Sequence, residues 1–468
     1  MLEEIEIFIE KTVKAFQLPG LAVGIMENGE VKYQKGFGFQ SIDSKIPVSA
    51  NTVFQQGSLA KAFVATAIMQ LVEQKKISLD EKVVTYLPYF KMKDPRYRDI
   101  TIGQIVSHTS CIPDVESFDW DSPQTDEAAA RRYVESLGDI ALLGEPGKIY
   151  HYSNRAYNIL ADVIHVTSGT IFETYMKENL FMPMNMADST FIYGEIKKEL
   201  LAWPHQLDRN FKNAKRDVYP YNRIHAPSST LYASMTDLMN WITMNLNGGT
   251  FNGNQIVSSE THSLMMQPAV TTETDTYMCL AWKKAIRHGH TLLVSSGGEP
   301  GFRSFLIMAP EKNLAVIASC NSDTLSAEHI GLPVILKLLG QELPEPKMPI
   351  YFPMGRTILE KGIHHAIDEY HYLKNNCPEQ YDFHESHLHD LAFKLLNKKR
   401  KADEAAHIFE LSIASNASYW WTFSGLAQAY ERLGKKESAV QNYVRALDMN
   451  PGNQFIIQRL EKIGYLNK

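Results

Sequence analysis

Residues 57–74 read GSLAKAFVATAIMQLVEQ, a small-residue turn that runs into an apolar segment. This pattern predicts a helix, and positions three apart on a helix share one face, so the Ser58 hydroxyl and the Lys61 amine can meet. A serine hydroxyl is a weak nucleophile until a base removes its proton, and a lysine that its surroundings keep neutral can be that base. The alternative interpretation is a serine and a surface lysine on an ordinary helix.

A second candidate segment is Tyr152-Ser153-Asn154, within PGKIYHYSN. Tyr152 can act as a general acid or base if a nearby cation stabilises its phenolate. Asn154 can donate to a carbonyl group while it accepts from an ammonium group. For Ser153 the structural alternative is an N-cap of the following helix.

A third candidate segment is SSGGEPGF, residues 295–302, at the end of a predicted strand. A strand that carries glycine lets a substrate backbone approach closely. A backbone N–H beyond the glycines can pair with the N–H of Ser58 to form an oxyanion hole. The alternative is a glycine-rich turn between two strands.

Strands are predicted at both ends of residues 1–340, with helices between them. Asn28-Gly29 is the dipeptide preferred in a type I′ turn, which predicts a β-hairpin over residues 20–40. Helices are predicted near 58–76, 101–109, 126–137, 153–168 and 170–180, and strands return over 279–321. We therefore expect an α+β fold in which distant segments form one sheet around a helical insertion.

The 468 residues include 44% hydrophobic and 21% charged side chains with a net charge of −6. This composition excludes a mostly disordered chain and disfavours a dedicated nucleic-acid binder. No apolar run is long enough to span a membrane, and the acidic start MLEEIEIF is unlike a secretory signal, so a cytoplasmic location without a membrane partner is expected. Four scattered cysteines and irregularly spaced histidines predict no metal and no cofactor.

The last part of the chain is helical and repetitive. Ala405 and Phe409 recur 34 residues later as Ala439 and Tyr443, which is the period of a tetratricopeptide repeat. An unrelated helical hairpin is the alternative. The predicted domains are a hydrolase-like domain, a proline-rich linker with one helix at most, and a repeat domain, at residues 1–340, 341–385 and 386–468. A protein partner or self-association is expected through the repeats.

Taken together, the segments of residues 1–340 resemble the serine β-lactamase and penicillin-binding-protein superfamily, in its class C and esterase branch. TIGQIVSHTSCIP (101–113) resembles that family's LLxHTSGLP, PGKIYHYSN its PGxxxxYSN, and GGEPGFRS its GGxPGFxS. FMPMNMADST (181–190) is similar to PLGMxxT, and LAW at 280–282 to GLGW. The resemblance implies an α/β/α sandwich with an antiparallel sheet and a helical insertion.

The resemblance also implies roles for individual residues. Ser58 resembles the acyl-forming nucleophile and Lys61 its proton acceptor. Tyr152 resembles the residue that protonates the leaving group and then activates the deacylating water. The residues implied in substrate binding, including the oxyanion-hole N–H of Gly298, are Asn154, Ser295, Ser296, Gly297 and Gly298.

Three positions depart from the family pattern. Ser295 stands where the family usually has Lys or His, which removes a cation that lies near a substrate carboxylate. Cys111 replaces a glycine, and Ser228-Ser229 replace a glycine pair; these two changes look structural. The change at Ser295 argues against β-lactam and D-Ala-D-Ala substrates, since both carry a carboxylate.

Three functions are therefore compared. The first is a serine hydrolase acting on esters, amides or small peptides, because Ser58, Lys61 and Tyr152 are all retained. The second is a catalytically silent scaffold that binds proteins through its repeats. The third is a β-lactamase or a D-Ala-D-Ala carboxypeptidase. The retained nucleophile and base favour the first.

Overall fold

The computed structural model describes residues 1–208, 210–398, 400–415, 419–451 and 453–466. These residues form two compact units. The first comprises residues 1–206 and 213–344, and the second comprises 207–212 and the described residues from 345 onward. Within the described residues, no helix combines the length and the apolar character needed to cross a bilayer.

The strands are short outside one large sheet. Their bounds are β1 (Gly20–Glu27), β2 (Glu30–Gly38), β3 (Val53–Gln55), β4 (His205–Leu207), β5 (Asn213–Lys215), β6 (Tyr232–Ser234), β7 (Thr250–Phe251), β8 (Asn254–Gln255), β9 (Val270–Glu273), β10 (Thr276–Met278), β11 (Lys283–Arg287), β12 (His290–Glu299), β13 (Phe302–Ala309), β14 (Leu314–Cys320), β15 (Met348–Pro349) and β16 (Tyr381–Asp382).

The helices make up most of the remaining regular structure. Their bounds are α1 (Leu2–Ala15), α2 (Ala60–Glu73), α3 (Val83–Tyr86), α4 (Ile102–Val106), α5 (Ala129–Glu135), α6 (Asn154–Ser168), α7 (Phe172–Met176), α8 (Ala226–Ser229), α9 (Met235–Leu246), α10 (Ser259–Met265), α11 (Glu328–Leu338), α12 (Tyr351–Lys361), α13 (Ile363–Asn376), α14 (Glu385–Phe393), α15 (Ala402–Ala414), α16 (Trp420–Arg432), α17 (Lys436–Met449) and α18 (Gln454–Lys462).

The large sheet has eight strands in the order β2-β1-β14-β13-β12-β11-β10-β9, and the neighbouring strands are antiparallel. The predicted hairpin is confirmed, since Glu27 pairs with Glu30 around Asn28 and Gly29, which both have positive φ. A type I′ turn requires positive φ at both central positions, which asparagine and glycine tolerate best. Thus β1 joins the late strands β13 and β14 in one sheet, as expected.

Side chains alternate between the two faces of the sheet, and helices cover each face. Leu21, Val23 and Ile25 of β1 belong to a core with α1 and α11, whereas Ala22 and Met26 belong to the core that contains α2 and α9. This alternation is the period of two that a strand buried on both faces must show. The predicted α+β fold, an α/β/α sandwich with a helical insertion, is confirmed.

Helix α2 lies in the middle of the first unit. Every residue from Ala60 to Leu71 is buried, and this includes the charged Lys61. A helix that is apolar on all sides belongs in a core, which explains why this sequence shows so little helical amphipathicity. On this helix the ring of Phe63 stacks on Trp241 of α9 with 3.8 Å between ring centroids. The start of α2 is therefore fixed by packing along its length.

Helix α6 begins and ends where the sequence predicts. The Ser153 hydroxyl accepts from the backbone N–H of Ala156 at 3.0 Å, so the N-cap prediction is confirmed. Gly169 ends the helix with φ of +79°, a conformation that glycine adopts without a steric penalty. The cap holds Asn154 at the first position of the helix.

The second unit is helical across the segment that the sequence analysis assigned to a linker. Helices α12 and α13 occupy residues 351–376, and Phe352, Ile358 and Tyr370 are part of this unit's core. The linker interpretation rested on the prolines, but Pro353 lies in the first turn of α12, where its missing N–H costs nothing. Of the other prolines in the predicted linker, three precede α12 and one, Pro378, follows α13.

The 34-residue recurrence in the sequence falls on two of the later helices of this unit. Helices α15 and α17 begin 34 residues apart, at Ala402 and Lys436. The equivalent pairs Ala405 with Ala439 and Phe409 with Tyr443 are each completely buried. The recurrence noticed in the sequence therefore corresponds to equivalent positions on two helices with similar packing.

Candidate active site

Ser58 lies in the turn that leads into α2 and is partly exposed, as is Tyr152, whereas Lys61 and Asn154 beside them are buried. The preceding residue, Gly57, has φ of +55°, which aims the chain sharply into the helix. The Ser58 Oγ atom lies 2.9 Å from the Lys61 Nζ atom and 2.7 Å from the Tyr152 hydroxyl. The structure thus brings the three predicted catalytic residues into direct contact.

Lys61 is only 3% exposed. Its Nζ atom lies 2.7 Å from Asn154 Oδ1 and 2.6 Å from the backbone oxygen of Ser228, in addition to Ser58 Oγ. Burial lowers the pKa of Lys61 to about 7, against the opposing charges of Asp114 and Glu299. A burial penalty on the charged form is the expected cause of a depressed lysine pKa.

The three oxygens around Lys61 suit a neutral amine. The amide oxygen of Asn154 and the carbonyl oxygen of Ser228 can only accept, so they take the two hydrogens of the amine. The lone pair then faces the third oxygen, Ser58 Oγ, whose hydrogen it can accept. When protonated, Lys61 donates to all three oxygens. The same geometry therefore serves both protonation states of Lys61.

The Tyr152 hydroxyl donates to Ser58 Oγ, and its ring lies 4.9 Å from Lys61 Nζ. Burial raises the pKa of Tyr152 well above its ordinary value near 10, and the Ser58 hydrogen bond opposes this effect only in part. The imidazole of His108 packs against the Tyr152 ring with 4.4 Å between centroids. Tyr152 is therefore a protonated donor, and Lys61 is the base of the pair.

Asn154 is oriented by a residue that sequence reasoning missed. Asp114 accepts from the backbone N–H of Asn154 at 2.7 Å and from its Nδ2 atom at 3.2 Å. These bonds fix the amide so that its oxygen points at Lys61. Asp114 follows directly after the HTSCIP segment, and this position was the only signal available for it.

Strand β12 passes very close to the start of α2. A Cβ atom at Gly297 would lie 2.0 Å from the Gln56 carbonyl oxygen and 2.7 Å from the Ser58 nitrogen. A Cβ atom at Gly57 would lie 2.7 Å from the Gly298 nitrogen. The backbone N–H groups of Ser58 and Gly298 thus lie on adjoining chain segments beside the Ser58 hydroxyl, as an oxyanion hole requires.

The two serines before these glycines lie on opposite faces of the sheet. Ser295 is buried and pairs with Leu306, a member of the core on the α2 side. Ser296 is exposed and lines a cavity of about 220 Å³ between the sheet and α11. The structure therefore does not bring Ser296 to the site, because adjacent residues of a strand point in opposite directions.

Arg303 does not replace the cation that Ser295 lacks. It pairs with Gly298 on the face opposite Ser295, and its Nη1 atom donates to the backbone oxygens of Glu299 at 2.8 Å and Phe302 at 2.7 Å. Its guanidinium group is thus engaged with the chain's own carbonyl groups on the other side of β12.

Two further residues of the site lack a clear sequence signal. Ser228 contributes only its carbonyl oxygen, which any residue type supplies. Glu299 is 5% exposed and burial raises the pKa of its carboxyl group to about 8, yet in the sequence it occupies the variable position of GGxPGF. At Cys111, φ of +58° explains why glycine is usual there, since this region of φ favours glycine.

Comparison with known sequences gives one consistent result. A family model described as Beta-lactamase matches residues 6–339. The chain is 26% identical over 345 residues to Protein flp of Staphylococcus aureus strain MW2, covering 71% of this chain but just under two thirds, 66%, of that protein. It is 28% identical over 350 residues to Penicillin-binding protein 4 of Amycolatopsis lactamdurans, covering 72% of this chain and 88% of that protein.

Two solved structures share the fold. The octameric penicillin-binding protein homologue from Pyrococcus abyssi aligns with a TM-score of 0.65 and 24% identity, covering 77% of this chain and 82% of that one. A penicillin-binding protein from Bacillus halodurans aligns with a TM-score of 0.61 and 21% identity, covering 70% and 98%. At these identities the likeness concerns the fold.

Proposed function

The chain belongs to the beta-lactamase family, whose members are generally serine hydrolases, and from that premise we propose that it hydrolyses esters, amides or small peptides through an acyl-enzyme on Ser58. The observation that carries the proposal is that Ser58 Oγ contacts two groups at once. One is the Lys61 amine, whose pKa is lowered, and the other is the protonated phenol of Tyr152. We also propose that the chain belongs to the class C and esterase branch, because of the motifs PGKIYHYSN and GGEPGFRS.

In the proposed acylation, Lys61 takes the proton of Ser58 while Oγ forms a bond to the substrate carbonyl carbon. The electron pair of the carbonyl moves to its oxygen, which the N–H groups of Ser58 and Gly298 receive. Tyr152 then gives its proton to the departing oxygen or nitrogen and recovers one from the Lys61 ammonium. A water molecule activated at the same two groups releases the acyl group and restores Ser58.

We predict that Ser58 is the residue that becomes acylated. A fluorophosphonate should add one adduct in intact mass, mapping to the Ser58 peptide, and Ser58→Ala should abolish it. Lys61→Met should slow labelling by roughly 10²- to 10⁴-fold, the usual contribution of a general base. Ser296→Ala is the matched control, because this serine faces away from the site, and it should label at the parent rate. Equal labelling of Ser58→Ala would contradict the proposal, because another residue would then be the nucleophile, and a parent that does not label would favour the silent-scaffold alternative.

The second prediction concerns pH. Since the pKa of Lys61 is lowered to about 7, the base form prevails above that pH, and kcat/KM for a neutral ester should rise through a midpoint near 7. Below the midpoint it should fall by about tenfold per pH unit. No loss is expected up to pH 9, because the pKa of Tyr152 lies above its ordinary value. A flat profile from pH 5 to 9, in protein that stays folded by circular dichroism, would refute the role of Lys61.

The third prediction concerns Ser295, which offers no charge to a substrate carboxylate. A hydrogen bond to a charged group contributes about 1.5–3 kcal/mol. Its absence should disfavour carboxylate-bearing substrates by roughly 10- to 150-fold. A short-chain nitrophenyl ester should therefore be preferred over a chromogenic cephalosporin.

Ser295→Lys should raise kcat/KM for the cephalosporin more than for the ester. Ser296→Lys is the control, since it adds the same charge on the opposite face of the sheet. It should change kcat/KM for neither the cephalosporin nor the ester. Efficient cephalosporin hydrolysis by the parent, unchanged in Ser295→Lys, would instead support the β-lactamase or carboxypeptidase alternative.

We further propose that residues 386–468 are tetratricopeptide-like repeats that mediate self-association. The 34-residue offset of α15 and α17 supports the repeat, and two helix pairs with a terminal helix fall short of the usual three repeats. The terminal helix region also exposes large apolar side chains, which a solenoid end normally lacks: Met449, Phe455 and Tyr465. A second copy can cover this surface.

The fourth prediction follows. Sedimentation of the full chain should show association that increases with concentration, and the double variant Phe455→Glu/Tyr465→Glu should remain monomeric. Tyr372→Glu, at an exposed position on α13, is the matched control and should associate like the parent. A parent that is monomeric at every concentration would overturn self-association.

A further inference from the structure

The cavity of about 220 Å³ between the large sheet and α11 lies on the face that is turned away from the reacting groups. Its floor is formed by Leu292 of β12 and by Phe305 and Ile307 of β13, which are buried members of the core on the α11 side. Leu332 and Leu336 of α11 form one wall. Helix α11 packs on β13 and β14, and β12 and β11 come next in the sheet, so the cavity opens toward β11.

The edge of the cavity opposite α11 is basic. Lys283 and Arg287 lie four residues apart on β11, so both point to the face of this strand that lines the cavity. His288 follows in the turn to β12, and all three side chains are exposed. They belong to the run KKAIRHGH (283–290), which contains no acidic residue although the net charge of the chain is −6. The cavity therefore combines an apolar floor with a positively charged edge.

The hydrogen bonds of Arg287 do not neutralise its charge. Its guanidinium group donates to the Ile286 carbonyl oxygen at 3.1 Å and to the Thr276 hydroxyl at 3.3 Å, and both acceptors are neutral. A guanidinium group carries five N–H donors, so others remain for a ligand. Among the described residues that line the cavity, Glu328 of α11 is the acidic one, and Lys283 and Arg287 together outweigh it. The edge therefore favours an anionic group over a cationic one.

We propose that this cavity is a binding site for an aliphatic carboxylate of medium chain length. The alkyl chain lies along Leu292, Phe305 and Ile307, and the carboxylate accepts from Lys283 and Arg287 at the open edge. A small inorganic anion would use only the basic edge and a neutral alkane only the floor, whereas one amphipathic anion uses both. Burial of the alkyl chain supplies most of the affinity, and the exposed cations select the head group. This binding is independent of the proposed hydrolysis.

The volume of the cavity limits the length of the chain. A water molecule takes roughly 30 Å³ in the liquid and a methylene group is of similar size, so 220 Å³ holds about seven such groups. The alkyl chain of octanoate has about this many carbons and fills the cavity, whereas a longer acid extends into solvent. Each added methylene should therefore raise the affinity by about fourfold, but only as far as octanoate.

The test is isothermal titration calorimetry of the full chain with butanoate, hexanoate, octanoate and decanoate, each below its micellar concentration. The association constant should rise by about fourfold per methylene up to octanoate and should level off at decanoate. Octylammonium, which has the same chain length and the opposite charge, should bind roughly tenfold more weakly than octanoate. An increase that continues unchanged to decanoate, or equal binding of the two octyl ions, would overturn the proposed site.

Substitutions assign the binding to this cavity. Lys283→Glu and Arg287→Glu change exposed side chains, and each should weaken octanoate binding by roughly 3- to 10-fold. Lys284→Glu is the matched control and should bind like the parent, because it makes the same charge change on the other face of β11. Ser296→Phe fills part of the cavity, so the affinity should level off at a shorter acid than octanoate.

Three results would overturn the inference. The first is a parent that binds none of the acids, and the second is equal octanoate binding by the parent, Lys283→Glu and Arg287→Glu. The third comes from sedimentation with vesicles of anionic phospholipid: a chain that binds vesicles but no soluble carboxylate would use this face on a lipid surface instead. Because each readout is binding, failure of Ser58 to label would overturn the proposed function and leave this inference standing.

Discussion

The active region depends on one buried amine. The Nζ atom of Lys61 contacts three oxygens that belong to three separate elements: Ser58 before α2, Asn154 of α6 and Ser228 of α8. A lysine in a core must either find acceptors or lose its charge, and here the fold provides acceptors placed so that either protonation state is satisfied. The positions of α6 and α8 against α2 therefore have little freedom, since a shift of either would leave a buried polar atom without a partner.

Much of this arrangement was visible in the sequence because local geometry encodes it. Ser58 and Lys61 are one helical turn apart, and Ser153 sets the start of α6 by capping it, so these placements need no knowledge of the fold. The hairpin at Asn28-Gly29 was predictable for the same reason. The return of β12 to α2 was anticipated only through the order of motifs in a known family.

The remaining features depend on contacts that spacing does not reveal. Asp114 reaches Asn154 across 40 residues, and Ser228 contributes a backbone atom that no residue type marks. Ser296 was wrongly predicted to bind substrate because all residues of the SSGG segment were assigned to the site together. Alternate residues of a strand point to opposite faces, so only every second residue can reach one site. Strands β9 and β10 went unrecognised, and one helix at most was expected where α12 and α13 lie, because short strands and proline-bearing segments carry weak periodicity.

The alternation along β12 has a practical consequence for spectroscopy. Residues 295, 297 and 299 face the reacting groups, while Ser296 opens on the far side into a cavity of about 220 Å³. A small environment-sensitive dye could be attached at position 296 through an introduced thiol. It would lie on the same strand as the Gly298 N–H, two residues away, without touching a molecule bound at Ser58. Small movements of β12 would then change the fluorescence of the dye. The residues on the other face of the strand, next to the reacting groups, would remain unmodified.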